Sequence, residues 1–457
     1  VSNPKNKLKL VKETLRNHKS YLKAKARESK FQTSNIVAIQ KQNFIVETEL
    51  KLINQTKNQV FGDFAELITP GTGELIIKIP TVFCLESNYS ECMQTIKEFA
   101  SSLYDNLGGH ILIDFSKCSK VDSGALFVFQ IIRLEIVKKL KFLQTKIKYN
   151  VIPELNIKVP KSKDVIRLLI IMGYPISPDD IKNQDEDSTL NPFHFLGFLK
   201  GSASQKHYFE NKKSVYSANV VSYINSCLDE HGYVLSEDET NNIDGIIAEV
   251  LSNAEDHSGQ PDWYLTANFS KEMSQIGEED VGELNIVIMN FGNSIYEAFL
   301  ETKEKNNEMY VAVKNYVTSM INNHDFSFNE EQLYTLATMQ EQTSRLKFER
   351  QSRGTGTIKF INSFLELGDF EDKAKNYVPN LSIYTGKVHL VCDNQFKPRL
   401  KDNIYYLSLN PENDLAVPPR ASHLKKLKSK FPGTLLSLKL YLNKKHFDNK
   451  YGGNYGN

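Results

Sequence analysis

Glu249-Val-Leu-Ser-Asn253-Ala-Glu-Asp-His257 is the stretch whose reading decides the fold. It lies in a run with helical patterning, Asn242 to His257. Helical residues four apart share a face, so Glu249, Asn253 and His257 fall on one stripe. That stripe offers a carboxylate, an amide oxygen and an imidazole, which together suit holding a divalent cation and polarising a nucleophile. Taken alone, E-x-x-x-N is more often a solvated polar face. Three later pieces of the sequence shift that balance.

The chain has 457 residues, enough for two to three domains. At 40% hydrophobic and 24% charged it has the composition of an ordinary globular protein with ample material for a core. Its five cysteines are odd in number, scattered and without C-x-x-C spacing. That speaks against a disulfide framework or a zinc site and for a reducing, cytoplasmic setting. No apolar run is long enough to span a bilayer, and the N-terminus lacks a signal peptide's apolar core. The chain opens at Val1 rather than Met, so a trimmed start is expected.

The net charge of +1 is unevenly spread. Residues 1–30 hold ten Lys and Arg against Glu13 and Glu28, a balance of +8 that leaves −7 for the remainder. Leu8, Val11, Leu15 and Leu22 fall at helical spacing. Residues 1–35 therefore read as a basic amphipathic helix, able to dock on nucleic acid, an acidic partner or a membrane surface. A solvated helix packed along one thin stripe is the plainer alternative.

Strands are expected within 36–70, with a turn at Pro70-Gly-Thr-Gly. From Glu74 onward strands and helices alternate: a strand at 74–80, a helix near Ser90–Asn106, a strand at Gly109–Phe115, a helix at Ala125–Lys139, a strand at Lys146–Ile152 and a helix at Ser162–Gly173. Such alternation predicts an α/β layer across 36–174. Residues 175–206, with Pro175, Pro178, Asp185-Glu-Asp and Gly201-Ser-Ala-Ser, read as a linker. Two helices are expected between Ser214 and His257. Strands follow at Trp263–Phe269 and Glu283–Met289, and then a long, mostly helical stretch over 295–350. Further strands are expected at Leu381–Tyr384, Val388–Cys392, Ile404–Leu409 and Thr434–Leu442, with a basic helix near Leu424. Helices grouped before strands predict an α+β sandwich over 207–442, a helical layer on an antiparallel or mixed sheet. Residues 443–457 read as a disordered tail.

Three pieces join the opening motif in order. Ile286-Val-Ile-Met-Asn290-Phe-Gly292-Asn-Ser294 sets a polar side chain and a glycine just after a buried strand, where backbone can approach a flat ligand. Arg353-Gly354-Thr-Gly356-Thr357 opens a helix whose free amides make a phosphate seat. Pro432-Gly433-Thr434 leads into the last apolar strand. Together these resemble the GHKL ATPase superfamily, the Bergerat fold of gyrase, Hsp-type chaperones, histidine kinases and MutL. The anti-sigma-factor serine kinases, whose first motif reads E-x-x-x-N-A-x-x-H, are the branch most similar to this chain.

The resemblance implies ATP as ligand and Mg²⁺ held by Asn253, with Glu249 as general base and His257 beside them. It implies Asn290 where the family has an adenine-reading Asp, with Gly292 beside the purine and Gly354, Gly356 and Thr357 around the phosphates. Thr434 would support the adenine site. Residues 295–353 would form a lid, with Arg345, Lys347, Arg350 and Arg353 at its end, either neutralising phosphate or simply solvated. The chain departs from the family at Asn290, which lacks a carboxylate's charge, and at Ser294, which replaces a hinge glycine.

Ile111-Leu-Ile-Asp114, Val121-Asp122-Ser123-Gly124 and Asp164–Gly173 resemble a STAS domain. Ser123 holds the place of that family's phospho-acceptor, and reads equally as an ordinary helix N-cap. The two resemblances imply a cytoplasmic, bacterial-type signalling protein that is ATP- and Mg²⁺-dependent, either an ATPase or a serine kinase. They imply a protein partner engaged through the STAS-like domain, and they admit a homodimer. Two alternatives stand beside this: a non-hydrolysing nucleotide sensor or scaffold, and an ATP-gated dimeric clamp that meets nucleic acid through the basic N-terminal helix.

Overall fold

The computed structural model describes residues 74–147, 152–174, 176, 193–202, 212–260, 262–272, 281–323, 328–340, 356–374, 377–402 and 404–451. The expected basic helix at 1–35 and the strands at 36–70 lie outside the described residues. So do Gly354 and the lid cations Arg345, Lys347, Arg350 and Arg353.

Along the first part of the chain run β1 (Leu75–Lys78), β2 (Val82–Phe83), α1 (Leu85–Asp105, kinked at Asn88), β3 (His110–Asp114), β4 (Lys120–Val121), α2 (Ser123–Ile147), β5 (Glu154–Lys158) and α3 (Lys163–Ile171). The chain divides into two units. Among described residues the smaller holds 74–78, 97–114, 132–147 and 152–158. Its sheet is parallel, in the order β1-β3-β5, with Ile76 opposite Leu112 and Ile113 opposite Ile157. Parallel neighbours need a crossover, and the helices between the strands supply it. Phe99, Leu103, Ile111, Ile113, Ile136 and Leu140 are buried there.

The larger unit adds β6 (Phe193–Phe195), β7 (Leu199–Ser202), α4 (Lys212–Asp229), α5 (Glu237–His257), β8 (Asp262–Glu272) and β9 (Val281–Phe291). There follow α6 (Ile295–Leu300), α7 (Thr302–Lys305), α8 (Asn307–Asn323), α9 (Glu330–Thr338) and α10 (Gly356–Leu367). The unit ends with β10 (Asn380–Asp393), β11 (Arg399–Lys401), β12 (Ile404–Tyr406), β13 (Leu424–Asn443) and α11 (Lys444–Tyr451). Its main sheet runs β10-β13-β9-β8-β6, with β7 also on β8, and every pair is antiparallel. One face of this sheet carries the core. Leu265, Ile286, Ile288, Leu436 and Leu438 from the strands join Ile247 and Leu251 of α5 and Phe360 and Phe364 of α10. The chain is thus mixed α/β, with a helical layer on an antiparallel sheet.

Several expectations need correction. The segment near Leu424 is strand, not basic helix. Leu424, Leu427 and Phe431 recur at helical spacing among lysines, but pairing with Val388, His389 and Leu390 of β10 overrides that local pattern. Of the strand expected at Lys146–Ile152, Lys146 and Ile147 end α2 and 148–151 lie outside the described residues; the third parallel strand lies at Glu154–Lys158. The two strands expected at 381–392 are one, β10, irregular at Gly386. Within the expected linker, β6 and β7 pair with β8, because Phe195 and Leu199 supply apolar side chains that turn signals concealed. The expected tail begins with α11. Helix α5 begins five residues before Asn242, at a capping box in which Ser236 and Glu239 satisfy each other's backbone amides. All five cysteines are free and buried. Among the described residues no helix is long and apolar enough to cross a membrane.

Helix α11 is clamped to the sheet by Asp369. One carboxylate oxygen accepts from His446 Nε2 at 2.6 Å and the other pairs with Lys450 Nζ at 2.9 Å. Burial alone would raise this carboxyl's pKa, but bonds from Lys450 and His446 outweigh it and hold the group below its ordinary value. A depressed folded-state pKa contributes stability above the unfolded pKa, about 3.9, and that contribution is lost as pH falls through the folded value. Asp369→Asn should therefore lower the thermal midpoint at pH 7, and the gap to wild type should close as the melts are repeated towards pH 2.

Candidate functional site

A cavity of ≈ 170 Å³ lies on the core side of the sheet, between α5, the end of β9, the middle of β13 and the helices that follow β9. An engineered cavity of about 150 Å³ accepts one benzene-sized ring. This space therefore suits a single flat ring system with the rest of a ligand outside. Its floor is apolar: Val250 and Ala254 of α5, Ile288 of β9, Ile383 of β10 and Leu436 of β13. The far wall comes from Ala298, Phe299, Met309 and Met339.

Polar groups are set into this apolar surface at few points. Asn253 lines the cavity from α5, one position off the buried stripe of Val250 and Ala254. It is half-buried, and its amide makes no hydrogen bond among the described residues. Asn290 lines it from the end of β9 and is 5% exposed. Its Nδ2 donates to Phe291 O at 3.3 Å. A carbonyl only accepts, so that bond fixes the amide's orientation and leaves Oδ1 as an acceptor with no partner among the described residues. Thr434 of β13 sits directly opposite Asn290. Its hydroxyl lies 3.0 Å from that of Thr385 on β10, and Thr385 Oγ1 accepts from Ile295 N at 2.9 Å. The start of α6 is thus tied to the sheet beneath it.

The rim is built by close backbone approach. Gly292 has φ +114°, and a Cβ there would fall 2.1 Å from Ser258 O at the end of α5. Gly433 has φ +140°, and its Cβ would fall 2.1 Å from Asn290 O. Asn293 N donates to the same Ser258 O at 2.7 Å, and Gly292 N donates to Pro432 O at 3.3 Å. Three elements therefore converge where only glycine fits.

Of the expected site residues, Asn253, Asn290, Thr357 and Thr434 line one cavity, and Gly292 shapes its rim. Gly356 is the first residue of α10. Glu249 stands one turn before Asn253 on α5, half-buried and away from the cavity lining. His257 closes α5, and its side chain lies outside what is described. Ser294 is no hinge: it caps α6, accepting from Glu297 N at 3.2 Å while Glu297 accepts from Ser294 N at 2.9 Å. Burial would raise the Glu297 pKa, but bonds from Lys430 and Ser294 hold it low. The pattern Ser-x-x-Glu was a readable capping signature that sequence reasoning passed over. Thr302, Met309 and Thr338–Gln340, also in the lining, carried no signal of their own.

Among the described residues no group of three or more His, Cys, Asp and Glu is gathered to hold a metal. Mg²⁺ needs no such cage, since it is held by one or two side chains with substrate phosphates and water. The Asn253 amide, without a partner among the described residues, could offer one oxygen; the nearest carboxylate on α5, Glu249 on the preceding turn, stands away from the cavity lining. Comparison of the chain with protein-family models, with curated proteins and with solved structures returns no match.

Two substitutions test the geometry. Gly433→Ala should cost at least the 1–3 kcal/mol or so of a strained backbone, with the collision at Asn290 O added, read as a lower urea midpoint. Thr385→Val leaves Ile295 N without its acceptor and should cost about 1–3 kcal/mol in the same experiment.

Proposed function

We propose that the chain binds ATP with Mg²⁺ in this cavity, as a signalling protein of GHKL type whose STAS-like segment receives or reports the nucleotide state. The observation that carries the reading is the convergence on one ring-sized apolar cavity of two amides, Asn253 and Asn290, with hydrogen-bonding groups that have no partner among the described residues. Buried polar groups are normally satisfied, so free ones facing a cavity favour a ligand that satisfies them. Asn290 Oδ1 would accept from the exocyclic amine of adenine, the ring would lie on Ile288, Ala254 and Leu436, and Thr434 would hold the strand beneath it. Asn253 would offer its Oδ1 to Mg²⁺, which would supply charge neutralisation at the phosphates. Glu249 would act on the attacking water or hydroxyl from the next turn of α5.

A second reading, a nucleotide sensor without turnover, is favoured by the position of Glu249 away from the cavity lining. Equilibrium binding of labelled ATP with Mg²⁺ tests the first claim, and product formation separates the two. Saturable binding is expected, lost in Asn253→Ala; no saturable binding would sink the nucleotide reading. Asn290→Asp restores a charged acceptor and should tighten binding by about 1–2 kcal/mol, roughly five- to thirtyfold. If Glu249→Gln abolishes turnover while binding persists, the enzyme reading stands. Unchanged product in that variant supports the sensor.

A further inference from the structure

Where β10 ends and β13 begins, a hydroxyl, an imidazole and a carboxylate stand in line. Leu390 and Leu424 pair across the two strands, and Val391 N donates to His423 O at 2.8 Å. That pairing sets Asp393, the last residue of β10, beside His423, which immediately precedes β13. His423 Nε2 lies 3.0 Å from Asp393 Oδ2, and His423 Nδ1 lies 2.8 Å from Ser422 Oγ. None of the three lines the cavity described above.

The carboxylate decides which ring nitrogen carries the proton. Burial alone would raise the Asp393 carboxyl's pKa, but bonds from His423 and from the amides of Phe396 and Gln395 hold it below its ordinary value. An ionised carboxylate only accepts, so the proton of the neutral ring sits on Nε2. Nδ1 is then an acceptor, and the Ser422 hydroxyl donates to it. Asp393 Oδ1 accepts from Gln395 N and Phe396 N, both at 3.0 Å, so both carboxylate oxygens are engaged. The Phe396 ring meets the imidazole edge to face, with centroids 4.5 Å apart, and the His423 side chain is 12% exposed.

The fold does not need the serine in this arrangement. Asp393 and Phe396 hold the ring, while Arg420 O and Val391 N hold the His423 backbone. Ser422 is exposed, where water would satisfy its hydroxyl equally well. Its backbone N–H has no partner among the described residues, and it is carried by the same residue as Oγ. An amide so placed is a donor for the oxyanion of an acyl group bonded to that Oγ.

We propose that Ser422 is a nucleophile towards carboxylic esters, with His423 as its general base and Asp393 as the residue that positions the ring. Ser422 Oγ bonds to the carbonyl carbon as its proton passes to Nδ1. The bond from that carbon to the leaving oxygen breaks, and the alkoxide takes the proton from Nδ1 and departs as the alcohol. The serine is left acylated, and water activated by the same nitrogen releases the acid. The step uses neither the cavity nor a nucleotide.

Labelling of the full chain with a fluorophosphonate, which the serine oxygen attacks at phosphorus with loss of fluoride, reads the nucleophile by mass spectrometry. Ser90, also exposed, is the internal reference. Ser422 should react about a hundredfold faster than Ser90, the gain that a positioned general base supplies. His423→Gln should remove that advantage. In Asp393→Asn the oxygen stays on the two backbone amides and the NH₂ faces Nε2, which moves the ring proton to Nδ1, and labelling should fall about tenfold or more. A purely structural carboxylate would lower the melting midpoint without slowing the folded chain's reaction. Ser422→Ala should melt as the wild type does and lose a burst of p-nitrophenol from p-nitrophenyl acetate. The proposal is overturned if Ser422 reacts no faster than Ser90, if the wild type gives no burst, or if the burst survives in Ser422→Ala. These three readings stand even if the His423 or Asp393 variant does not fold. Unchanged labelling in a folded His423→Gln overturns it as well.

Discussion

The antiparallel pairing of Val281–Phe291 with Gly433–Asn443 is the constraint on which the larger unit turns, because these two central strands serve both faces of the sheet. Inward, Ile286, Ile288, Leu436 and Leu438 anchor the helical layer and floor the cavity. Outward, the strands carry a mixed face, with Asn285, Ser437 and Lys439 beside the buried Val287, Met289 and Leu435. With a side-chain period of two, a slip of one residue would exchange the faces, burying an ion pair in the core and turning isoleucines and leucines outward. The register is therefore held by the burial of these inward side chains. It ends where Gly433 and Gly292 let backbone pass at distances that a Cβ would forbid.

The helices α6 to α9 depend on the sheet in a different way. They own a small core of Phe299, Val317, Met320, Leu333 and Tyr334. Many of their ties to the strands and loops are hydrogen bonds to backbone. Gln332 Nε2 donates to Leu424 O, and Glu331 accepts from Lys387 N beside the irregularity at Gly386. Gln340 both donates to Leu407 O and accepts from Leu407 N, as another strand would. Tyr316 reaches Leu415 O. Directional bonds of this kind fix where the helices stand. The wall over the cavity has a small core of its own and also joins the main core through Leu336 and Met339.

What was legible in the sequence follows from this division of forces. The helix bearing Glu249 and Asn253, the strand ending at Asn290 and the strand starting at Thr434 all show strong local periodicity, and their order brought three of the cavity's polar residues into view. The misreadings fall where tertiary contact decides. Lys425 to Phe431 has helical spacing and becomes strand only because β10 lies beside it. Residues 193–202 look like linker until β8 offers an edge. The far wall, Phe299, Thr302 and Met309, was invisible because nothing in an amphipathic helix's own pattern says which of its apolar residues will face a cavity instead of a core. Ser123 was read as either a helix cap or an acceptor of charge. That it is hydrogen-bonded to Asn268, 145 positions away, has no trace in local sequence.

Amide side chains give a sharper criterion than position alone for separating structural from functional polar groups. Asn410 spends both its donors on the fold: Nδ2 donates to Asp414 O at 2.8 Å and Val417 O at 2.9 Å, and Oδ1 accepts from Asp414 N. Asn268 and Asn285 are likewise engaged, with each other and with Ser123 and Glu283. Asn253 and Asn290 differ. One makes no hydrogen bond among the described residues, and the other makes a single donation to its neighbour's carbonyl, although Asn290 is nearly as buried as Asn410. The contrast with Asn410 is one of capacity: the Asn253 amide and Asn290 Oδ1 open on one cavity without a partner among the described residues, and that is what supports the ligand proposed there.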